Sequence, residues 1–250
     1  MIKSINSIFS RINLFIRSLM IIAETVYYSI GIIGLMAIMK DKTIFFKLSK
    51  IWAKNLLRIV NIKIEIIGSE NLNKDETYVY VMNHSSLFDI PILLTSLNDN
   101  IRMIYKKELE KIPIFGYCLK KSPFIEIVRS EGRNAMASLD QAVNSVREGV
   151  SVALFPEGSR SLDGILKPFK RGAFILASRS QKPIVPISII GSDSILPAGS
   201  LKIQKSTKIK FIIHKPLPNS LYNTKEEEKE LIENVRNMII FGMEHQKQFD

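Results

Sequence analysis

Strand-length and helix-length segments alternate along the chain from residue 61 onward, and this alternation limits the fold more than any other feature. Five short runs rich in β-branched or aromatic residues have the length of strands, at 62–66, 78–82, 151–155, 184–190 and 208–213. Helical stretches occupy 89–97, 132–149, 170–180 and 224–243. Because strands that alternate with helices usually pair in parallel, we expect an α/β fold with a mainly parallel mixed sheet covered by helices.

The first sixty residues are the most apolar and the most basic part of the chain. They contain nine Lys or Arg against two acidic residues, and the whole chain has a formal net charge of +11. The 21 residues of 19–39 carry one charge, at Glu24, and about 20 apolar residues suffice to cross a bilayer. We therefore predict a membrane-associated helical segment at 1–60 and a separate domain at 61–250.

Amphipathic stretches flank this apolar run on both sides. Apolar residues recur at helical spacing before it (Ile5, Ile8, Phe9, Ile12, Phe15, Ile16 and Leu19). After it, a basic stripe (Lys47, Lys50, Lys54 and Arg58) accompanies an apolar one (Ile44, Leu48, Ile51, Trp52 and Ile59). Both patterns are typical of helices that lie in the headgroup layer of a membrane, and core helices with solvated lysines are the alternative. The sequence leaves open whether 19–39 crosses the bilayer or lies in its interface.

The positive charge predicts an anionic partner, and its location favours anionic membrane lipid. The basic residues are interleaved with the apolar run, and no nucleic-acid recognition motif is present, so we expect no nucleic-acid partner. The single cysteine, Cys118, excludes an internal disulfide, and the absence of CxxC and HExxH spacings predicts no metal site.

The motif NHSSLFD at 83–89 places a histidine and an aspartate just after the end of a predicted strand. His84 follows the strand and Asp89 opens the next helix, where open α/β sheets hold their ligands. The Asp89 carboxylate would fix one imidazole nitrogen as a donor and leave the other as a base. No GxSxG motif supplies a nucleophile, so the base would act on a substrate hydroxyl. A turn histidine beside a helix-capping aspartate is the alternative interpretation.

A second polar loop, FPEGSRS at 155–161, follows another predicted strand. We expect Glu157 to be exposed there, Gly158 permits close approach of the backbone to a ligand, and Arg160 carries a fork that suits a phosphate. The basic stretch KPFKRG follows at 167–172. Together the loops indicate a phosphate-bearing substrate beside a base, although a plain turn with a surface salt bridge is the alternative for this loop.

These motifs resemble those of the glycerolipid acyltransferases, specifically the bacterial 1-acylglycerol-3-phosphate acyltransferases. NHSSLFD and FPEGSRS are similar to two blocks of that family, while 105–129 resembles a further block ending in Arg129, and 183–189 resembles the block around Pro186. The resemblance covers roughly 60–215. Pro123 and Val128 stand where the family usually has Gly and Asp.

The resemblance implies acyl transfer from an acyl carrier protein or coenzyme A thioester to the sn-2 hydroxyl of lysophosphatidic acid, which yields phosphatidic acid for phospholipid synthesis. His84 would be the general base and Asp89 would orient it. Lys106, Arg129 and Arg160 would bind the acceptor phosphate, and Glu157 and Gly158 would shape its pocket. The resemblance implies no metal and no bound cofactor.

The same resemblance and the charge distribution together predict where in the cell the protein lies. If 19–39 spans, the heavier Lys and Arg load after it predicts that the 61–250 domain faces the cytoplasm from the cell (inner) membrane. Two other functions stay open on the sequence. One is a sibling acyltransferase with another glycerolipid or lysophospholipid acceptor, and the other is a non-catalytic membrane-binding protein.

Overall fold

The computed structural model describes residues 2–127, 132–161, 165–197, 203, 208–218 and 224–245. The strands are β1 Lys63–Ile67, β2 Val79–Met82, β3 Arg102–Lys106, β4 Ile125–Ile127, β5 Val152–Leu154, β6 Ile184–Ile190 and β7 Lys208–Ile213. The helices are α1 Ile2–Met39, α2 Thr43–Ile59, α3 Asp89–Ser96, α4 Phe115–Lys121, α5 Gly132–Arg147, α6 Gly172–Ser180 and α7 Lys225–His245.

One seven-stranded sheet forms the centre of the molecule, in the order β1-β7-β6-β2-β5-β3-β4. The five strands from β6 to β4 run parallel, whereas β7 pairs antiparallel with β6, and β1 pairs parallel with β7. The predicted mainly parallel mixed sheet covered by helices is therefore confirmed. All five parallel strands have their carboxyl ends at one edge of the sheet, here called the site edge.

Strand β2 is buried on both faces, as its uninterrupted apolar sequence requires. Tyr80 and Met82 pack into a core that contains residues of α2 and α3. Val79 and Val81 point to the opposite face and pack with residues of α5, α6 and α7. The sheet is thus enclosed between two helical layers, and polar groups reach solvent at its edges.

Helix α2 belongs to the first of these layers. Its residues Ala53, Leu56 and Leu57 are buried in the core, and the side chain of Ile51 is 45% exposed beside the basic stripe. The face that packs on the core is distinct from the predicted headgroup stripe, to which Ile51 belongs, so a membrane contact of that stripe stays a prediction. Periodicity identified an amphipathic helix but not what covers it.

Helix α1 is continuous over 38 residues, and most of its apolar side chains between Ile12 and Met39 are exposed. Its Ile12–Met39 part is long and apolar enough to cross a membrane by length and composition, and only 11% of its most apolar stretch is buried. Two hydrogen bonds attach it to α2, from Trp52 Nε1 to Thr25 Oγ1 at 3.2 Å and from Asn55 Nδ2 to the Tyr28 hydroxyl at 3.2 Å.

Two strands and one helix were not predicted from the sequence, namely β3, β4 and α4. The last helix begins with a capping box, since Glu227 N donates to Thr224 Oγ1 at 3.1 Å and Thr224 N donates to Glu227 Oε2 at 3.3 Å. These bonds satisfy backbone donors at the start of α7, which a helix otherwise leaves without partners.

Candidate active site

The turn after β2 is fastened to the neighbouring strand β6. Asn83 Nδ2 donates to Ile189 O and Ile189 N donates to Asn83 Oδ1, both at 2.8 Å, and Asn83 is buried. The Ser86 hydroxyl donates to Leu196 O at 3.0 Å in the loop after β6. The residues between these anchors, which include His84, therefore have little freedom to move.

His84 and Asp89 form a hydrogen-bonded pair at the site edge. His84 Nδ1 lies 2.8 Å from Asp89 Oδ2, and the same oxygen accepts the backbone N–H groups of Ser85 and Ser86 at 2.8 and 2.9 Å. Asp89 is fully buried, and its Oδ2 is the common acceptor of these contacts. Since a carboxylate only accepts, Nδ1 carries the proton and Nε2 is the nitrogen left to accept one.

Ser85 and Ser86 contribute mainly through their backbones. Their backbone N–H groups bind the Asp89 carboxylate, and Phe88 occupies the cap position of α3 without a side-chain cap. The Ser86 hydroxyl does accept Phe88 N at 3.2 Å. The first residue of α3 thus organises the turn that precedes it.

Phe155 covers one face of the His84 imidazole, a contact that sequence reasoning missed. The two rings stack with centroids 4.0 Å apart and planes 18° apart. Phe155 directly follows β5, which pairs in parallel with β2, so the residues after both strands meet at the site edge. The apolar residue before Pro156 carries no sequence signal for such a contact.

Glu157 is buried, so the expectation that it would be exposed is wrong, because its carboxylate joins the two polar loops through backbone hydrogen bonds. Its Oε1 accepts His84 N at 2.7 Å and its Oε2 accepts Lys167 N at 2.9 Å. The His84 carbonyl accepts Ser161 N at 2.8 Å, so both backbone polar groups of His84 are held by the second loop. Burial raises the pKa of the Glu157 carboxyl, and the two N–H donors partly oppose that shift.

Gly158 is needed for both conformation and space. Its φ is +75°, and a Cβ there would lie 3.0 Å from Lys170 Nζ. The Lys170 side chain therefore lies across the backbone of this loop, while Lys170 N donates to Pro156 O at 2.9 Å. The left-handed conformation favours glycine here, and a side chain at this position would also displace the end of Lys170.

The predicted phosphate ligands follow successive strands of the parallel group. Arg160 follows β5 and is half-buried, and its carbonyl accepts Lys167 Nζ at 2.7 Å. Within the described part of the chain, no acidic side chain pairs with the Arg160 guanidinium. Lys106 is the exposed last residue of β3, the strand beside β5. Arg129 lies outside the described residues.

The described residues contain no group of three His, Cys, Asp or Glu side chains placed to hold a metal ion. Pro186, from the last of the recognised sequence blocks, lies in β6 beside Val81 of β2. It is part of the sheet that supports the site. The chemistry available at this edge is therefore that of a base, its carboxylate partner and cationic side chains.

Comparison with known proteins connects this arrangement to a family. An acyltransferase family model matches residues 63–190. A chloroplastic 1-acyl-sn-glycerol-3-phosphate acyltransferase of Brassica napus is 38% identical over 174 residues, which are 69% of this chain and 50% of the relative. One of Arabidopsis thaliana is 37% identical over 69% of this chain and 48% of the relative. The chain thus spans about half the length of these curated relatives.

A crystal structure of similar fold is that of the 1-acyl-sn-glycerophosphate acyltransferase of Thermotoga maritima. It superposes with a TM-score of 0.80 at 26% identity and covers 95% of this chain and 98% of that one. The mostly parallel sheet with its helical layers is therefore shared with a solved acyltransferase. The bacterial branch suggested by the sequence motifs stays a prediction, since the curated relatives named here come from plants.

Proposed function

Because the chain belongs to the acyltransferase family, as its motifs predicted, we propose that it transfers an acyl chain from a thioester to the sn-2 hydroxyl of 1-acyl-sn-glycerol 3-phosphate, making phosphatidic acid. The hydrogen-bonded pair of His84 and Asp89 carries this proposal, since it leaves Nε2 as a base at the site edge beside the Arg160 loop. The names of the relatives support the choice of acceptor.

The reaction needs one base and no nucleophile from the protein. His84 Nε2 takes the proton of the acceptor hydroxyl while that oxygen attacks the thioester carbonyl carbon. The tetrahedral intermediate collapses with cleavage of the carbon–sulfur bond, and the imidazolium returns the proton to the departing thiolate. Asp89 holds the imidazole in the required tautomer and stabilises the imidazolium.

Substrate binding is assigned to the cations that follow β5, β3 and β4. Arg160, Lys106 and Arg129 would bind the acceptor phosphate, with the Arg160 fork able to hold two oxygens at once. Gly158 would let the loop backbone approach the acceptor. Glu157 has both carboxylate oxygens engaged by backbone N–H groups, so we assign it to positioning His84 rather than to contacting the phosphate.

The donor would be an acyl carrier protein or coenzyme A thioester, used as a co-substrate without any bound cofactor or metal. We assign the membrane contact of the 1–60 segment to α1, because α2 packs on the sheet of the 61–250 domain. Its exposed apolar surface suits a cell (inner) membrane, with the catalytic domain on the cytoplasmic side.

The test offers lysophosphatidic acid to the purified protein in mixed micelles, with acyl carrier protein and coenzyme A donors in parallel and the lipid products resolved. Phosphatidic acid is the expected product, and His84→Ala is the control. Competition with glycerol 3-phosphate and with lysophospholipids that lack a free phosphate identifies a sibling activity. Absence of transfer with every acceptor would leave a membrane-binding protein and overturn the proposal.

A further inference from the structure

A strained turn lies between the end of β3 and the start of α4. Ile114 has φ 64° and ψ −59°, and Phe115 N donates to Pro113 O at 2.6 Å. These values define a γ-turn of the rare, strained type, and the strain is greater for a β-branched residue at positive φ. Such a conformation persists only where the surrounding structure enforces it.

Close packing behind the turn holds Ile114 in this strained conformation. Gly116 N donates to Ile112 O at 2.7 Å, and a Cβ on Gly116 would lie 2.2 Å from Glu110 O. The Tyr105 hydroxyl donates to Glu110 Oε1 at 3.0 Å, which ties the preceding 3₁₀ helix to β3. The backbone at this point cannot relax inward, so the side chains of the turn point away from the domain.

The side chains presented in this way are apolar. Ile112 is 45% exposed, Ile114 40% and Tyr117 51%, although Cys118 and Leu119 on the other side of α4 are buried. We call Ile112, Ile114 and Tyr117 the apolar tip. Among the described residues, nothing covers these three large apolar side chains, which points to contact with something outside the chain.

Basic residues border the apolar tip. Lys111, Lys120 and Lys121 are exposed, and Lys121 Nζ lies 5.6 Å from the centre of the Tyr117 ring. Glu108 is the exposed acid on the preceding 3₁₀ helix, whereas Glu110 is engaged with Tyr105. Apolar side chains surrounded by lysines match the interface of an anionic bilayer, where the apolar groups enter the lipid and the ammonium groups meet phosphates.

The apolar tip is also continuous with α1. Helix α4 packs against α1, and Ile32, Phe45 and Cys118 share one buried cluster at that contact. The exposed apolar surface of α1 and the apolar tip are thus parts of one side of the molecule. Lys106, at the site edge, directly precedes the 3₁₀ helix that leads to the tip.

We propose that the apolar tip inserts into the interface of an anionic bilayer and forms a membrane contact separate from α1. The contact fixes the tilt of the sheet so that its site edge faces the lipid surface from which the acceptor comes. The inference goes beyond acyl transfer, because it concerns the surface that meets the membrane and would hold for any lipid acceptor.

The experiment places a polarity-sensitive nitrobenzoxadiazole label at the tip in the full chain. Ile114→Cys is labelled and reconstituted into vesicles of equal parts phosphatidylglycerol and phosphatidylcholine. Cys118 is buried, and burial raises its pKa to about 11, so the added thiol takes the label. The matched control is Lys74→Cys, in an exposed loop before β2 at the opposite edge of the sheet.

The expected result is a blue-shifted emission at position 114 that nitroxide-bearing lipids quench, with neither effect at position 74. Equal behaviour at the two positions would overturn the proposal. Emission that shifts with protein density in the vesicle but ignores lipid nitroxides would identify a second copy of the chain as the partner, which also overturns it.

A second variant, Ile114→Asn, separates membrane contact from misfolding. Asn accepts positive φ more readily than a β-branched residue, so the melting temperature should not fall. Transfer to acceptor embedded in vesicles should drop roughly tenfold from lost apolar insertion, while transfer to detergent-dispersed acceptor stays unchanged. A matching drop in detergent would place the effect in the active site and refute the membrane contact.

Discussion

The carboxylate of Glu157 accepts the backbone N–H of His84 at 2.7 Å, although 73 residues separate the two in sequence. The same carboxylate accepts Lys167 N, and the His84 carbonyl accepts Ser161 N. The position of the base is thus set by a buried charge in another loop. We therefore assign Glu157 to positioning the base His84 and not to contacting the acceptor. The first prediction tests this assignment.

Replacing Glu157 with Gln should lower kcat more than it raises either KM. One amide oxygen can accept one N–H, but the NH₂ group then faces the other donor, which leaves a buried donor without a partner at a cost of about 1–3 kcal/mol. His84 shifts as a result, and small misplacements of a base reduce turnover. Steady-state kinetics with both substrates provides the measurement, with Ser159→Ala on the exposed part of the same loop as control. A higher acceptor KM at unchanged kcat would instead place Glu157 against the phosphate.

Titration of Glu157 should make the free energy of unfolding depend on pH. Burial raises its pKa above the ordinary 4.5, so the folded protein binds this proton more tightly than the unfolded chain does. The stabilisation of the folded state by Glu157 is therefore fully present at pH values below the pKa of this group in the unfolded chain. It is lost as the pH rises through its pKa in the folded protein. The free energy of unfolding of the wild type, relative to Glu157→Gln, should fall over that window and then stay constant. Denaturant titrations at a series of pH values test this, and an increase with pH would contradict it.

His84→Ala should reduce turnover by about 10² to 10⁴ at saturating substrates, the usual contribution of a general base. The fold should persist, because His84 lies in a turn after β2 and not in either core. His214→Asn is a matched control, since His214 bonds Ser188 Oγ at 2.8 Å near the start of β6, at the opposite edge. Near-normal turnover of a folded His84→Ala protein would refute the mechanism.

Arg160→Lys should raise the acceptor KM by roughly tenfold, the equivalent of about 1.4 kcal/mol. The charge remains, but the fork that can bind two phosphate oxygens is lost. The donor KM should change less, and kcat should fall because the hydroxyl is held less accurately relative to His84. Arg147→Lys serves as control, since that side chain donates to Arg179 O on α6. A change confined to the donor KM would assign the loop to the thioester carrier.

Deletion of residues 1–39 should strongly weaken sedimentation with anionic vesicles, leaving the contact of the apolar tip, and should leave a folded domain, whereas deletion of 1–60 should prevent folding. The difference lies in α2, whose Ala53, Leu56 and Leu57 are buried in the core. Fully burying one large apolar side chain contributes about 1.5–3 kcal/mol, so several together approach the total stability of a domain. Far-ultraviolet circular dichroism and vesicle sedimentation of both deletions give the comparison. A folded protein lacking 1–60 would show that α2 is dispensable.

Much of the fold could be predicted because its strands are locally distinct. β2 is an unbroken apolar run, β6 is apolar except for Ser188, and α7 begins with its own capping signal at Thr224. β3 and β4 were missed because they are short and carry charged residues such as Arg102 and Glu126 within their span. The packing of α2 on the core could not be predicted because an amphipathic pattern is the same whether a sheet or a membrane covers the apolar face.

Some contacts of the candidate site could also be predicted from the sequence, and others could not. His84 and Asp89 lie five residues apart, so a local motif predicted their contact. The partners of Glu157 and the stacking of Phe155 depend on which strands are neighbours in the sheet, and spacing in the sequence does not contain that information. The orientation of Asn83 toward β6 is non-local for the same reason.

The order of strands has a kinetic consequence. β2 pairs with β5 and β6, and Val79 lies opposite Val152 and Ile184, so both partners of this central strand come much later in the chain. Long-range parallel pairing is slow to form, whereas a helix such as α1 needs only local contacts. During synthesis, α1 can therefore adopt its structure and meet a lipid surface well before the two loops around His84 exist as a unit. Catalytic competence is then a late event in folding, reached by a chain that is already tethered.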